Sequence, residues 1–180
     1  MVDELTALLL ELDAWVEARD TRPLTCYLLG GGAMQLSHGS PRRTKDLDIV
    51  AEPLGEHAEG IDKAFGRDTG RAPYIDVVTA GLPVLATGWR QRAVAFDGPW
   101  PNLIVRILAP MDQVVSKFKS FRPHDRRDIQ LVCDLHPEIR DPLAALGVQD
   151  FWTATDLWEE VMGARRDLVV EYLDGDRDGL

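Results

Sequence analysis

The segment Asp46-Leu47-Asp48-Ile49-Val50 constrains the fold more than any other stretch of this 180-residue chain. Polar and apolar residues alternate in it, as in a strand with one buried face, yet both polar positions are carboxylates. Residues i and i+2 of a strand project to the same side, so Asp46 and Asp48 would stand about 6–7 Å apart on one face. At an effective dielectric near 20 their repulsion is worth about 2–3 kcal/mol, unless a cation lies between them. Taken alone, an Asp-x-Asp pair is as readily a solvated strand edge.

Its neighbours change the balance. Cys26-Tyr27-Leu28-Leu29 is a short apolar run that stops at Gly30-Gly31-Gly32, with a short helix expected over 33–37. Glycines without Cβ atoms let a backbone approach a phosphate closely, and the helix start offers unpaired N–H groups to it. Further on, Tyr74-Ile75-Asp76-Val77-Val78 carries an acid inside a β-branched run, which is costly unless the acid is paired or metal-bound. A third strand-borne carboxylate makes a metal site geometrically sensible. Hard oxygen ligands suit Mg²⁺, which takes one or two protein carboxylates and fills its shell with water and substrate phosphates. Asp97, which closes another strand-like run before Gly98, is the alternative third acid.

The rest of the chain supplies the frame. Leu5, Leu8, Leu9, Leu12, Trp15 and Val16 fall at helical spacing over 4–19, and 56–65 is a second expected helix. Strands are expected at 26–29, 46–50, 74–78, 92–96 and 103–107. Beyond Pro110 the pattern turns helical, over 111–121, 125–135, 142–146 and 151–172. The expected architecture is α/β (α+β): a core with an N-terminal helix over 1–109, and a helical extension packed on it over 110–180. Lys and Arg total 20 against 30 Asp and Glu, a net charge of −10 that disfavours a general nucleic-acid coat protein. No apolar run approaches membrane-spanning length, and the first residues lack the basic and apolar regions of a signal peptide. Cys26 and Cys133 are isolated in apolar surroundings, which fits reduced core thiols in a cytoplasm.

Leu29-Gly30-Gly31 followed by Asp46-Leu47-Asp48-Ile49 resembles the signature of the nucleotidyltransferase superfamily that shares its fold with DNA polymerase β. The fuller strings Gly30-Gly31-Gly32-Ala33 and Arg43-Thr44-Lys45-Asp46-Leu47-Asp48-Ile49 are similar to a bacterial branch of small nucleotidyltransferase-like proteins. That branch includes toxins of abortive-infection systems and is related to the lincosamide and aminoglycoside nucleotidyltransferases. Met111-Asp112-Gln113 through Lys117, with Arg122 and Asp125-Arg126-Arg127-Asp128-Ile129, also looks like this branch, and the resemblance covers residues 25–135.

The resemblance implies a mixed sheet flanked by helices and metal-dependent transfer of a nucleoside monophosphate from a nucleoside triphosphate to an acceptor hydroxyl. The acceptor would be tRNA, protein or a small hydroxylated molecule. Asp46 and Asp48 would ligate Mg²⁺ (or Mn²⁺), with Asp76 as third carboxylate or as general base. Gly30 and Gly31 would hold the triphosphate, with Ser40, Arg43 and Thr44 nearby. Two ions at such a site activate the attacking oxygen and neutralise the leaving pyrophosphate.

Lys117, Lys119, Arg122, His124, Arg126 and Arg127 form a basic cluster in an acidic chain. Lys117 and Arg122 would reach the triphosphate or an acceptor backbone. The rival reading is a solvated junction in which Arg126 or Arg127 pairs with Asp125, Asp128 or Asp134. Trp152 and Trp158 read as core or interface residues, with base stacking as the other option. Two other functions compete: a catalytically inactive nucleotidyltransferase-fold binder, such as one half of a toxin–antitoxin pair with a cognate partner protein, and an acidic metal-binding module without nucleotide.

Overall fold

Leu5, Leu8, Leu9, Leu12 and Val16 are all buried and form the inner stripe of helix α1 (Val2–Glu17). The protein's structure is a computed structural model that describes residues 2–19, 22–78, 85, 88–118 and 122–139. The helices expected at 142–146 and 151–172, with Trp152 and Trp158, lie outside the described residues, as does Lys119. The chain divides into two units: Met1–Leu82 with Trp89–Ala109, and Pro83–Gly88 with Pro110–Leu180.

The first unit is built on a five-stranded mixed sheet. Its strands are β1 (Leu24–Leu29), β2 (Asp46–Glu52), β3 (Tyr74–Val77), β4 (Val94–Ala95) and β5 (Leu103–Ile107), in spatial order β3-β2-β1-β5-β4. β1 runs antiparallel to β2 and parallel to β5, β2 runs parallel to β3, and β4 closes the far edge antiparallel to β5. The register sorts side chains onto two faces, since paired residues share a face and neighbours along a strand alternate. One face carries Cys26, Leu28, Leu47, Ile49, Ala51, Ile75, Leu103, Val105 and Ile107, which join the leucines of α1 and Ile61 and Phe65 of α3 (Leu54–Phe65) in a single core. The opposite face carries Asp46, Asp48 and Glu52 of β2, Tyr74 and Asp76 of β3 and Arg106 of β5, all half-exposed. The alternation over 46–49 is thus a division between the core and a face that is open at its carboxylates and closed farther along at Val50 and Tyr27.

Asp13 ties α1 to this sheet. It is buried, and its carboxylate accepts the Asn102 backbone N–H at 2.7 Å and the Asn102 side-chain amide at 3.2 Å, just ahead of β5.

Two elements differ from expectation. Helix α2 spans Gly30–His38, so the glycines form its first turn and do not precede it. Residues 92–96 were expected as one strand. Instead, Trp89–Arg92 is a single helical turn, α4, and only Val94–Ala95 pairs as β4. The reason is packing: the Trp89 ring meets Tyr27 edge-on, with centroids 4.9 Å apart, and the Ala93 N–H donates to the Trp89 carbonyl at 2.9 Å.

In the second unit, α5 (Pro110–Phe118) and α6 (Pro123–Leu135) pack on each other and bury Val114, Val115, Ile129, Val132 and Cys133. Pro123 opens α6 at a position where its missing N–H costs nothing. Among the described residues, no helix is long and apolar enough to cross a membrane.

Candidate active site

Helix α2 begins where β1 ends and lies across the start of β2, and the glycines make that approach possible. Gly30 has a φ of +67°, and a Cβ there would collide with the Asp48 carboxylate. A Cβ on Gly31 would come within 2.6 Å of Arg42 Nη2 and 3.0 Å of Thr44 Oγ1, and one on Gly32 within 2.7 Å of a Leu47 methyl. The three glycines therefore let the helix start seat itself against the carboxylate-bearing strand. No side chain caps α2 at its N-cap residue Leu29, and no acid lies in its first turn. The amide dipoles at the helix start thus face the Asp48 carboxylate and the site around it.

Register sets three of the sheet's acids on one face near one another. Asp46 and Asp48 share a face of β2, and Asp76 of β3 is the direct partner of Asp48 in the parallel pairing. Neighbouring strands lie about 4.8 Å apart, so the Asp48 and Asp76 backbones are adjacent. Asp97, by contrast, follows β4 at the other edge of the sheet and is exposed, so Asp76 is the acid that the fold sets beside Asp48. The carboxylates as placed are engaged elsewhere. Thr44 Oγ1 donates to Asp46 Oδ1, and Arg67 Nη2 stands 3.9 Å from Asp76 Oδ2. Among the described residues, no three His, Cys, Asp or Glu side chains gather closely enough to hold a metal ion. In donor chemistry and register the set still suits a hard cation, because it is all oxygen and strand-borne. Converging on one ion requires rotation of the Asp46 and Asp76 side chains away from Thr44 and Arg67.

The loop between α2 and β2 is fixed by its own hydrogen bonds. Ser40 is buried and its hydroxyl accepts the Arg42 backbone N–H at 3.4 Å, while Gln35 donates from its side chain to the Arg42 carbonyl. Ser40 therefore braces the loop, Thr44 meets Asp46, and Arg43 is exposed. Two arginines at the site escape a reading of the sequence. Arg42 lies over the first turn of α2, and Arg67 reaches the carboxylates from the 3₁₀ turn Arg67–Thr69. Arg42 had only its place in an arginine pair to distinguish it. Arg67 carries no signal, since only the β2–β3 register shows what it faces.

Lys117 and Arg122 belong to the second unit, and there their partners are acids of that unit. The Lys117 ammonium lies 3.0 Å from Asp128 Oδ2 and 3.7 Å from Asp125 Oδ1, with all three side chains buried. Asp125 caps α6: its Oδ2 accepts the Arg122 backbone N–H at 2.9 Å and the Arg122 Nε–H at 3.0 Å. His124 Nε2 approaches the other Asp125 oxygen at 3.6 Å. Lys117 and Arg122 are thus cations that meet Asp125 and Asp128 within this unit.

Residues 4–135 match a family described as "nucleotidyltransferase of unknown function (DUF6036)", and the chain belongs to that family. Among solved structures, it is similar to an antigenic nucleotidyltransferase-like protein from Paracoccidioides brasiliensis. That likeness is 20% in sequence, covers 96% of this chain and 93% of that one, and has a TM-score of 0.48. No curated protein matches the chain.

Proposed function

We propose that the protein is a metal-dependent nucleotidyltransferase that moves a nucleoside monophosphate from a nucleoside triphosphate to an acceptor hydroxyl. The observation that carries this reading is the register of Asp48 with Asp76, two residue pairs along from Asp46, beside a glycine-opened helix start, in a chain of a nucleotidyltransferase family. Asp46, Asp48 and Asp76 would hold Mg²⁺ or Mn²⁺, which when bound supplies charge neutralisation at the transferred phosphoryl group and its leaving pyrophosphate. Gly30 and Gly31 present the amides of the α2 start to the triphosphate, and Arg42 adds a guanidinium above the same turn. Thr44 orients Asp46, and Ser40 keeps the loop carrying Arg42 and Arg43 in place. Asp76, half-exposed at the sheet edge, is positioned to take the proton of an incoming hydroxyl.

The acceptor is a hydroxyl of RNA, protein or a small molecule, and the reading places the activity in a cytoplasm, in keeping with Cys26 and Cys133 as buried free thiols. Calorimetric titration of each nucleoside triphosphate with Mg²⁺ tests the binding half, and labelled-nucleotide transfer to tRNA, protein and aminoglycoside-like acceptors tests the chemistry. Asp48→Asn should lower transfer by about 10²–10³-fold, the effect of losing a ligand worth several kcal/mol to the transition state. Binding without transfer to any acceptor would favour the inactive binder, and unimpaired transfer by Asp48→Asn would remove Asp48 from the site.

A further inference from the structure

Arg67 stands out because it faces the carboxylates without being buried among them. Its Nε–H donates to the Tyr74 hydroxyl at 3.1 Å, and its guanidinium carbon lies 5.4 Å from the centre of that ring. From this seat Nη2 reaches to 3.9 Å from Asp76 Oδ2. Tyr74 is the β3 partner of Asp46, so a guanidinium held on Tyr74 lies in the field of both acids. The arginine pKa is raised, first by the Tyr74 hydrogen bond and more weakly by the charges of Asp76 and Asp46. The Arg67 and Asp76 side chains are 72% and 47% exposed, so water screens their attraction and the contact is loose. A cation that is anchored by a ring, aimed at a carboxylate and only weakly held there can be displaced by a ligand.

We propose that Arg67 is a displaceable counter-cation: it guards Asp76 against free divalent ions and turns to the triphosphate when metal and nucleotide arrive together. This rests on the nucleotidyltransferase reading and adds to it an order of binding. A divalent ion entering alone must displace Arg67 and then sit beside an uncompensated positive charge. A triphosphate entering with the ion offers the guanidinium phosphate oxygens in its preferred forked geometry. Nucleotide and metal affinities are then coupled, and by linkage each strengthens the other equally.

The test titrates Mn²⁺ alone, and Mn²⁺ with the α,β-methylene analogues of ATP, GTP, CTP and UTP, into the wild type, Arg67→Gln, Arg67→Lys and Tyr74→Phe. Calorimetry and the Mn²⁺ electron paramagnetic resonance signal read the affinities. Arg67→Gln should bind Mn²⁺ alone about three- to tenfold more tightly, because the competing charge is gone. It should bind the Mn²⁺–analogue complex about tenfold more weakly. Arg67→Lys keeps the charge and loses the fork, so only the analogue affinity should fall, and Tyr74→Phe should shift both in the direction of Arg67→Gln by less. Unchanged or weaker binding of Mn²⁺ alone by Arg67→Gln overturns the proposal. If the wild type binds Mn²⁺ and an analogue while Arg67→Gln alters neither, Arg67 alone loses its role. If the wild type binds neither, the nucleotidyltransferase reading falls and takes this one with it.

Discussion

Lys117 in the α5–α6 pair and Arg67 on the β2–β3 face both face aspartates, but in opposite settings. Lys117 is 8% exposed, with Asp128 at 3.0 Å and the fully buried Asp125 at 3.7 Å. Arg67 stands open to solvent, 3.9 Å from a half-exposed Asp76. The first arrangement is structural: each charge has lost its water, so each needs the others. In the second, water already solvates the charges and neither depends on the other for its place. Acids that are in excess, accessible and only lightly paired are the ones free to take a ligand. The sheet core of the first unit sharpens the contrast from the other side, because it is lined by apolar side chains that leave a charge nothing to pair with. Burial there pushes the Cys26 thiol up to about 12.

The largest effect should come from removing the cation of the buried cluster. Lys117→Met leaves Asp125 and Asp128 in low dielectric with less compensation and should cost about 3–5 kcal/mol, read as an earlier urea midpoint. Adding Asp128→Asn to that variant should recover part of the loss; a Lys117→Met protein as stable as the wild type would break the contrast. Next comes pH. The Cys26 pKa is raised in the folded state above its ordinary 9.0. The folded thiol therefore holds its proton where the unfolded one has lost it, and stability is full below about pH 9 and falls as pH rises toward 12. The loss should reach up to about 4 kcal/mol across that window, and Cys26→Val should flatten it in thermal melts at stepped pH. Gly30→Ala should cost about 1–3 kcal/mol, through both its positive φ and the encroachment on Asp48, and triphosphate binding should fall with it. Arg67→Gln closes the series with an unfolding midpoint indistinguishable from the wild type, since its partner stays in water. A clear loss of stability there would mean that the open face is structural too.

Much of the frame is readable from local pattern. The α1 stripe, the 46–50 alternation, the helical turn of pattern after Pro110 and the pairing of glycines with Asp-x-Asp depend only on periodicities of 3.6 and 2 and on the absence of Cβ atoms. Boundaries set by packing are less legible. The start of α2 at Gly30 depends on what the glycines touch in β2, and α4 forms because Trp89 finds Tyr27, a residue more than sixty positions earlier. For Lys117 the sequence alone leaned toward phosphate, whereas its nearest charges are Asp125 and Asp128, brought to it by helix packing.

By itself the sequence determined that two carboxylates share a strand face and that a glycine turn leading into a helix lies close in the chain, because both follow from short-range spacing. Only the tertiary structure decided which further acid lies beside Asp48, since Asp76 and Asp97 sit in similar runs and at opposite edges of the sheet. It also decided which arginine faces that acid. Strand order and register are long-range outcomes of core packing, and a charge acts over distance in space, whatever its distance along the chain.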